Sequence, residues 1–227
     1  MIEASSYFGL AITLIAYFIG VYINKKSKLS LCNPLLISIT LVVIILLVFH
    51  IPYDIYNHSA EYISYLLTPA TISLAIPLYQ QVHLLKNNLK AILFGISAGV
   101  VSSLSGVLAF SFLFQFLHEE YVTFLPKSIT TAIGMGICEE LGGYVSIAVA
   151  AIIITGVLGN IFAEIILKIF HIKNPIAKGI GIGCASHAVG TSKAMQIGEI
   201  EGAMSSLAIV VSGLITVIGA SIFSKFM

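Results

Sequence analysis

The stretch P-K-S-I-T-T-A-I-G-M-G-I-C-E-E-L-G-G, residues 126–143, decides how this chain folds. The chain is 58% hydrophobic and 9% charged, yet this stretch holds a lysine, two adjacent glutamates, three hydroxyl side chains and four glycines. A charged side chain costs about 2.5–3.5 kcal/mol at the centre of a membrane helix on insertion scales. Irregular polar backbone is tolerated at membrane depth only where protein or a cavity surrounds it. We therefore interpret the stretch as a half-helix that begins at Pro126, where the missing N–H is not needed, and lines a cavity.

A second proline-led segment resembles this one. Residues 69–76 read P-A-T-I-S-L-A-I and residues 126–133 read P-K-S-I-T-T-A-I, so one pattern occurs twice. Upstream, residues 61–66 and 120–125 also match each other. Paired, proline-interrupted hydrophobic segments in corresponding places are a sequence signal of a transporter's binding site. The sequence therefore predicts internal repeats that contain discontinuous helices.

The composition excludes a soluble fold, because soluble domains carry about 25% charged residues. The sequence predicts an all-α polytopic membrane protein of about seven to eight membrane segments, with half-helices that cross near the midplane. We interpret residues 1–227 as a single integral membrane domain. Its predicted parts are two N-terminal helices (1–60), a first repeat unit (61–117), a second repeat unit (118–173), and a polar Gly-rich segment with a C-terminal helix (174–227).

The distribution of lysines gives an orientation through the positive-inside rule. It places the acidic loop at residues 118–120 outside and the basic loop at residues 168–178 inside, which makes residues 126–143 re-entrant. A strict tandem repeat would instead make that stretch a full crossing, and the sequence leaves both alternatives open. The same rule predicts that the acidic residues at 199–201 lie outside and that Lys225 lies inside.

Polar side chains cluster in segments otherwise suited to lipid. Residues 179–193 carry His187 among hydroxyl side chains and four glycines, a poor composition for an uninterrupted helix. A histidine can bind a proton or donate to a carboxylate near neutral pH, and a half-helix N-terminus favours an anion. We interpret the following residues as substrate-binding: Pro69, Thr71, Ser73, Pro126, Lys127, Ser128, Thr130, Thr131, Ser186, His187, Thr191 and Lys193. Proton or cation coupling is assigned to Glu139, Glu140 and His187.

Structural alternatives remain open for these residues. Lys127 can instead extend to water at the outer face, and each hydroxyl can instead cap its own helix. The Glu139–Glu140 pair can be solvated at a turn, whereas Glu164 and Lys168 have the spacing of an interfacial ion pair.

The sequence carries no motif of an enzyme or of a metal site. There is no H-E-x-x-H and no phosphate-binding loop, and the three cysteines lack the spacing of metal ligands. The G-I-S-A-G at residues 95–99 matches G-x-S-x-G, but it lies in a long apolar helical stretch and not in the strand–turn–helix context of a catalytic serine. We therefore expect no enzyme activity, no cofactor and no metal. The net charge of +1 gives no indication of nucleic-acid binding.

Seven ordered blocks resemble the LrgB/CidB family of bacterial membrane proteins. They are T-P-A-T-I-S-L-A-I-P-L-Y (68–79), L-P-K-S-I-T-T-A-I-G-M (125–135), E-L-G-G (140–143), I-T-G-V-L-G (154–159), N-P-I-A-K-G (174–179), A-S-H-A-V-G-T-S-K-A (185–194) and E-I-E-G-A (199–203). The family often has Arg where this chain has Lys127, Lys178 and Lys193. Those exchanges keep the charge but lose bidentate geometry.

The resemblance implies two functions of different class. One is transport of small organic acids, because related proteins are associated with pyruvate uptake and a plastid relative with glycolate and glycerate exchange. The alternative is holin-like or antiholin-like control of murein hydrolase activity and cell lysis. The resemblance also implies a multi-pass protein of the bacterial plasma membrane, a small LrgA/CidA-type membrane partner and a homo-oligomer such as a dimer.

The residues favour the carrier. A lesion-forming holin does not need duplicated broken segments that carry Pro, hydroxyls, Lys, Glu and His, whereas a carrier uses such segments to bind its solute. We therefore expect a small organic anion such as pyruvate, lactate or glycolate as the ligand. We also expect proton or cation coupling, the lipid bilayer as the surroundings, and no nucleic-acid partner.

Overall fold

The structure is a computed structural model, and it describes residues 7–27, 33–66, 69, 72–73 and 75–227. The regular structure in those residues is helical, which confirms the all-α prediction. In chain order the helices are α1 (Phe8–Ser27), α2 (Pro34–Val48), α3 (Tyr53–Tyr65), α4 (Ala75–Gln80), α5 (Val82–Phe114), α6 (His118–Phe124), α7 (Thr131–Glu140), α8 (Val145–Ile169), α9 (Pro175–Ile197) and α10 (Glu199–Phe223), and the 3₁₀ turn Ser224–Phe226 follows.

The chain divides into two compact units, Met1–Ser73 and Leu74–Met227. Residues 61–117, predicted as one repeat unit, are therefore split between them. The physical reason is packing, because α3 packs against α1 whereas α5 packs against α9 and α10. The predicted repeat of residues 61–117 and 118–173 is not confirmed.

Helix α2 of the first unit begins with a side-chain cap and a proline. The Asn33 side chain accepts hydrogen bonds from the backbone N–H of Leu35 at 2.8 Å and of Leu36 at 3.4 Å, and Pro34 occupies the first helical position. In the same unit, α1 approaches α3 closely, since the Gly9 N–H donates to Ser59 Oγ at 2.8 Å.

Among the described residues, four helices are long and apolar enough to cross a membrane: Phe8–Ser27, Val82–Phe114, Val145–Ile169 and Glu199–Phe226. A spanning helix needs about 20 residues. Pro34–Val48 is a shorter apolar helix. The predicted number of seven to eight segments is therefore not confirmed, because two polar stretches of the second unit fold as hairpins that do not cross.

Residues 118–144 form the first of these, hairpin 1, which consists of α6, a turn at residues 125–130, and α7. Its two ends meet, because the Tyr144 hydroxyl donates to Glu119 Oε2 at 3.0 Å and the Tyr144 N–H donates to Thr123 Oγ1 at 2.8 Å. Hairpin 1 thus enters and leaves on one side, termed the acidic end after Glu119 and Glu120. The re-entrant alternative is correct and the full crossing is not.

The half-helix of hairpin 1 begins at Thr131 rather than at the predicted Pro126. Pro126 starts a turn instead, in which its carbonyl accepts from the Ile129 N–H at 3.3 Å. Thr130 is extended, with φ −67° and ψ 147°, and the helix starts after it. At the other end, Gly142 (φ +80°) closes α7 in the left-handed conformation that glycine tolerates best.

Helix α9 is interrupted at His187, whose φ is 41° and whose ψ is −138°. The two arms, residues 175–186 and 188–197, fold back on each other. A Cβ built at Gly190 would lie 3.2 Å from the Ile182 carbonyl oxygen, although residues eight apart in a continuous helix are about 12 Å apart. This second hairpin, hairpin 2, confirms that residues 179–193 are not an uninterrupted helix.

Hairpin 2 enters and leaves at the end of α8 that carries Lys168, termed the basic end. Because the chain returns to that end, α10 starts there, and Glu201 lies 3.6 Å from Lys178. At the far end of α10, the Phe223 carbonyl accepts from the Tyr121 hydroxyl at 2.8 Å, beside hairpin 1. The prediction that residues 199–201 lie outside and Lys225 inside is therefore wrong, because the re-entrant hairpin adds no crossing.

The second unit thus has an inverted order of elements. Helix α5 runs from the basic end to the acidic end and is followed by hairpin 1, whereas α8 runs the opposite way and is followed by hairpin 2. The buried core supports these directions, because Ile96 of α5 packs with Ile180 and Cys184 whereas Val107 packs with Tyr121. Each hairpin consequently points its tip toward the other from the opposite side.

Candidate functional site

A cavity of about 430 Å³, termed the central cavity, lies where the two hairpin tips approach each other. Its wall comes from α5, the tip of hairpin 1, α8 and the first arm of hairpin 2. The lining residues are Gly95, Gly99, Ser102, Ser103, Lys127, Ser128, Thr155, Gly159, Ile180, Gly181, Cys184, Ala185 and Ser186. The volume falls within the range of about 300–1,000 Å³ that is typical of small-molecule sites.

The central cavity lies near the middle of a spanning helix. Thr155 is about 15 Å from the start of α8 and Gly159 about 15 Å from its end, at a rise of 1.5 Å per residue. Polar backbone at such depth is stable only beside protein or a cavity. The polar stretch around residue 126 therefore reaches the level of the middle of α8, as its composition predicts for a segment that lines a cavity.

The tip of hairpin 1 supplies the charged group of the central cavity. Lys127 Nζ donates to Ser128 Oγ at 3.1 Å, and Ser103 Oγ of α5 donates to the same oxygen at 3.0 Å. In the described part of the chain, no carboxylate lies within 4.0 Å of Lys127 Nζ. Since a cation removed from water is stabilised by an opposite charge, this ammonium group favours an anion in the central cavity.

Glycines of α8 admit the tip of hairpin 2. A Cβ at Gly159 would collide with Ser186 Oγ, and a Cβ at Gly156 would lie 2.7 Å from Cε1 of His187. Both positions therefore allow the closest approach of the two elements. Ser186, which the sequence predicted as a site residue, consequently reaches the wall of the central cavity.

His187 turns its ring toward α8 instead of the cavity wall. Its Nε2 lies 3.0 Å from the Ile152 carbonyl oxygen, so that nitrogen carries a hydrogen and donates. The Thr191 side chain also contacts its neighbours rather than the cavity. Its hydroxyl donates a hydrogen bond to the His187 carbonyl at 2.9 Å and lies 2.7 Å from Ser205 Oγ of α10, with which it shares a second hydrogen bond. Both residues thus hold the tip in position beside the central cavity.

We expect His187→Gly to be more stable than His187→Ala by about 1 kcal/mol. Both variants lose the hydrogen bond to Ile152, but only glycine relieves a backbone conformation that costs about 1–3 kcal/mol in other residues. Thermal or denaturant unfolding in detergent measures the difference. Ala188→Gly is the matched control, because Ala188 has helical dihedral angles and glycine should bring no gain in stability there. An alanine variant as stable as the glycine variant would contradict the claim that the backbone at residue 187 is strained.

Lys193 lies away from the central cavity, toward the basic end. Its Nζ is 2.6 Å from Glu164 Oε1, and Lys168 Nζ is 3.7 Å from Glu164 Oε2. The predicted Glu164–Lys168 ion pair is thereby confirmed. Sequence spacing could not reveal the Lys193 contact, because it depends on hairpin 2 folding back along α8.

The remaining predicted site residues occupy other positions. Pro126 is fully buried at the tip of hairpin 1, and Thr130 and Thr131 begin α7 beside it. Glu139 and Glu140 are exposed where α7 ends.

The predicted residues of the first proline-led segment belong to the first unit. Pro69 and Ser73 are exposed there. Thr71 lies outside the described residues. In the described part of the chain, no group of three His, Cys, Asp or Glu side chains is arranged to hold a metal ion.

Comparison with known proteins gives consistent matches over nearly the whole chain. The model of the LrgB-like family matches residues 13–226. The antiholin-like protein LrgB of Bacillus cereus (strain B4264) is 38% identical over 221 residues, which cover 97% of this chain and 96% of that protein. The antiholin-like proteins LrgB of Bacillus cereus (strain AH187) and Bacillus anthracis (strain A0248) match with the same identity and coverage. No solved structure gives a significant match.

Proposed function

We propose, on the premise that this chain belongs to the LrgB-like family of membrane proteins, that it carries a small organic anion through the central cavity. One observation carries the proposal: a lysine without a carboxylate partner among the described residues lies beside hydroxyl groups where two opposed hairpin tips approach each other. Discontinuous segments that meet near the membrane midplane are the usual site of solute binding in secondary transporters.

The chemistry of the wall supports a short carboxylate as the solute. Lys127 offers a positive charge, and Ser102, Ser103, Thr155 and Ser186 offer hydroxyl groups that can donate or accept. A hydroxy or keto monocarboxylate such as lactate, glycolate or pyruvate presents matching groups. The glycines of the wall leave room for it without adding apolar surface.

A second cavity supports access from the basic end. This vestibule, of about 390 Å³, is lined by Asn88 of α5 and Asn174 of the basic loop, among others, and shares Gly95, Ile180 and Gly181 with the central cavity. Toward the acidic end, the hydrophobic core around Val107 and Tyr121 fills the space between α5 and hairpin 1. This asymmetry is what a carrier open to one side would have.

The names of the curated relatives favour a second candidate. They are described as antiholin-like, which points to control of lysis rather than to carriage of a solute. In that role the chain would act with a small LrgA/CidA-type membrane partner and as a homo-oligomer. If the chain is a carrier, transport can be coupled to a proton or another cation. The exposed Glu139 and Glu140 would then bind that ion.

Uptake into proteoliposomes that contain only this protein tests the proposal. We expect saturable uptake of radiolabelled pyruvate, lactate or glycolate, and none in protein-free vesicles. Absence of saturable flux for every short carboxylate, with or without the small partner, would overturn the carrier. Leakage of dyes larger than the central cavity would instead support the lysis-related candidate.

A further inference from the structure

A separate pocket of about 510 Å³ lies at the basic end, between the last turns of α8 and both arms of hairpin 2. We term it the basic pocket. Its polar wall carries Lys168, His171, Lys173 and Lys178, and its apolar wall includes Leu167 and Ile197. It shares no residue with the central cavity, so its function can differ from that of the proposed transport site.

The basic pocket has an excess of positive charge. Four lysines lie at or beside it, Lys168, Lys173, Lys178 and Lys193, whereas the carboxylates that line it or pair with these lysines are two, Glu164 and Glu201.

The two carboxylates are already engaged by three of those lysines. Lys193, outside the wall, lies 2.6 Å from Glu164, Lys168 lies 3.7 Å from the same carboxylate, and Lys178 lies 3.6 Å from Glu201. Within the described residues, Lys173 has no carboxylate within 4.0 Å. The net charge of the cluster therefore attracts an anion.

The loop that carries these lysines is ordered by backbone hydrogen bonds. His171 adopts φ 52° after α8, its N–H donates to the Lys168 carbonyl at 3.1 Å, and the Ile172 N–H donates to the Leu167 carbonyl at 2.9 Å. This is the Schellman arrangement of a helix end. It fixes the short connection between Lys168 and Lys173, so both belong to one wall without a large ordering cost.

Apolar surface adjoins the basic pocket. Ile169 and Phe170, at the end of the spanning helix α8, are 64% and 71% exposed. Acyl chains can lie against such residues while a headgroup reaches the lysines at the same level. Basic pockets between membrane helices bind the phosphate groups of acidic lipids in this way.

We propose that the basic pocket binds a phosphate group, and that the adjoining apolar surface favours the headgroup of an acidic phospholipid as its source. The shared chemistry is the phosphate oxygens, which accept hydrogen bonds from several ammonium groups at once. A soluble phosphate ester would offer the same oxygens but would gain nothing from Ile169 and Phe170.

Thermal unfolding and native mass spectrometry of the full chain in neutral detergent test this proposal. Phosphatidylglycerol should raise the unfolding temperature and remain bound, and phosphatidylcholine should do neither. Lys168→Gln with Lys173→Gln should weaken phosphatidylglycerol binding about 30-fold, because each lysine contributes about 1 kcal/mol near an acidic lipid surface. Lys90→Gln, an exposed lysine of α5 outside the pocket, is the matched control and should bind like the unmodified chain.

Further measurements distinguish a phospholipid headgroup from a soluble phosphate compound as the ligand. Inorganic phosphate that raises the unfolding temperature without lipid, and loses that effect in the double variant, would assign the pocket to a soluble phosphate compound. No effect of either compound, or an equal loss in Lys90→Gln, would overturn the proposal. Lys173→Gln alone carries the test if the double variant unfolds, because Lys173 makes no ion pair within the described residues.

Discussion

Lys127→Gln is expected to weaken carboxylate uptake by about 10–100-fold while leaving the chain folded. A hydrogen bond to a charged group is worth about 1.5–3 kcal/mol, and each 1.4 kcal/mol changes an equilibrium constant tenfold. Among the residues that line the central cavity, Lys127 is the one that carries a charge. Initial rates of labelled pyruvate, lactate and glycolate uptake in proteoliposomes, fitted for KM and maximal rate, measure the effect.

Two further variants give this experiment its controls. Lys127→Arg keeps the charge and should retain more uptake than the glutamine variant. The planar guanidinium group places its donors differently from the ammonium group that donates to the Ser128 hydroxyl. Lys86→Gln removes an exposed lysine of α5 that lies outside the wall, and it should leave KM unchanged. Unaltered uptake in Lys127→Gln would contradict the assignment of the central cavity to an anion, whatever the other variants do.

Gly181→Leu is expected to stop uptake without unfolding the protein. Gly181 lies where the vestibule meets the central cavity, and a Cβ built there meets no atom within 4 Å. The leucine side chain would therefore fill the passage without displacing its neighbours. Flux in proteoliposomes and the unfolding temperature of the same preparation measure the two effects separately.

Gly106→Leu is the matched control for this substitution. Gly106 belongs to α5, its Cβ would also meet no atom within 4 Å, and it lines neither the vestibule nor the central cavity. Its variant should take up carboxylates at the normal rate. Normal uptake by a folded Gly181→Leu protein would show that the solute does not pass between the vestibule and the central cavity.

Part of this site could be predicted from local chemistry. The polarity of residues 126–143 predicted that they avoid lipid, and Lys127, Ser128 and Ser186 do line a cavity beside the middle of α8. The start of the half-helix was misplaced, because Pro126 belongs to a turn closed by the Ile129 N–H and the extended Thr130 separates that turn from the helix.

The rest depends on contacts that no local pattern records. Ser103, Thr155 and Gly159 lie in ordinary apolar helices and enter the wall only because the hairpin tips pack against α5 and α8. The G-x-x-x-G spacing of Gly95 and Gly99 is typical of close helix packing, and a Cβ at Gly99 would lie 3.1 Å from Cys184 Cβ. Both glycines also face the cavity, which the spacing alone does not distinguish.

The orientation of the last helix was wrong for a related reason. Charge counting placed the acidic residues at 199–201 opposite the basic loop, which requires the chain to cross between them, but hairpin 2 returns to the end from which it started. Its reversal uses a histidine at positive φ, a conformation that is uncommon outside glycine and that sequence patterns do not predict. One such residue changes the side on which residues 199–201 lie.

The reversal at His187 also bears on the order of assembly. The residue that turns the chain is the one whose ring donates to Ile152 of α8, so the turn is completed only against a partner already in place. Helix α8 precedes hairpin 2 in the chain and is therefore synthesised first. The tip of hairpin 2 is therefore synthesised after the surface of α8 against which it packs. Its polar backbone groups can form their hydrogen bonds as soon as they enter the bilayer.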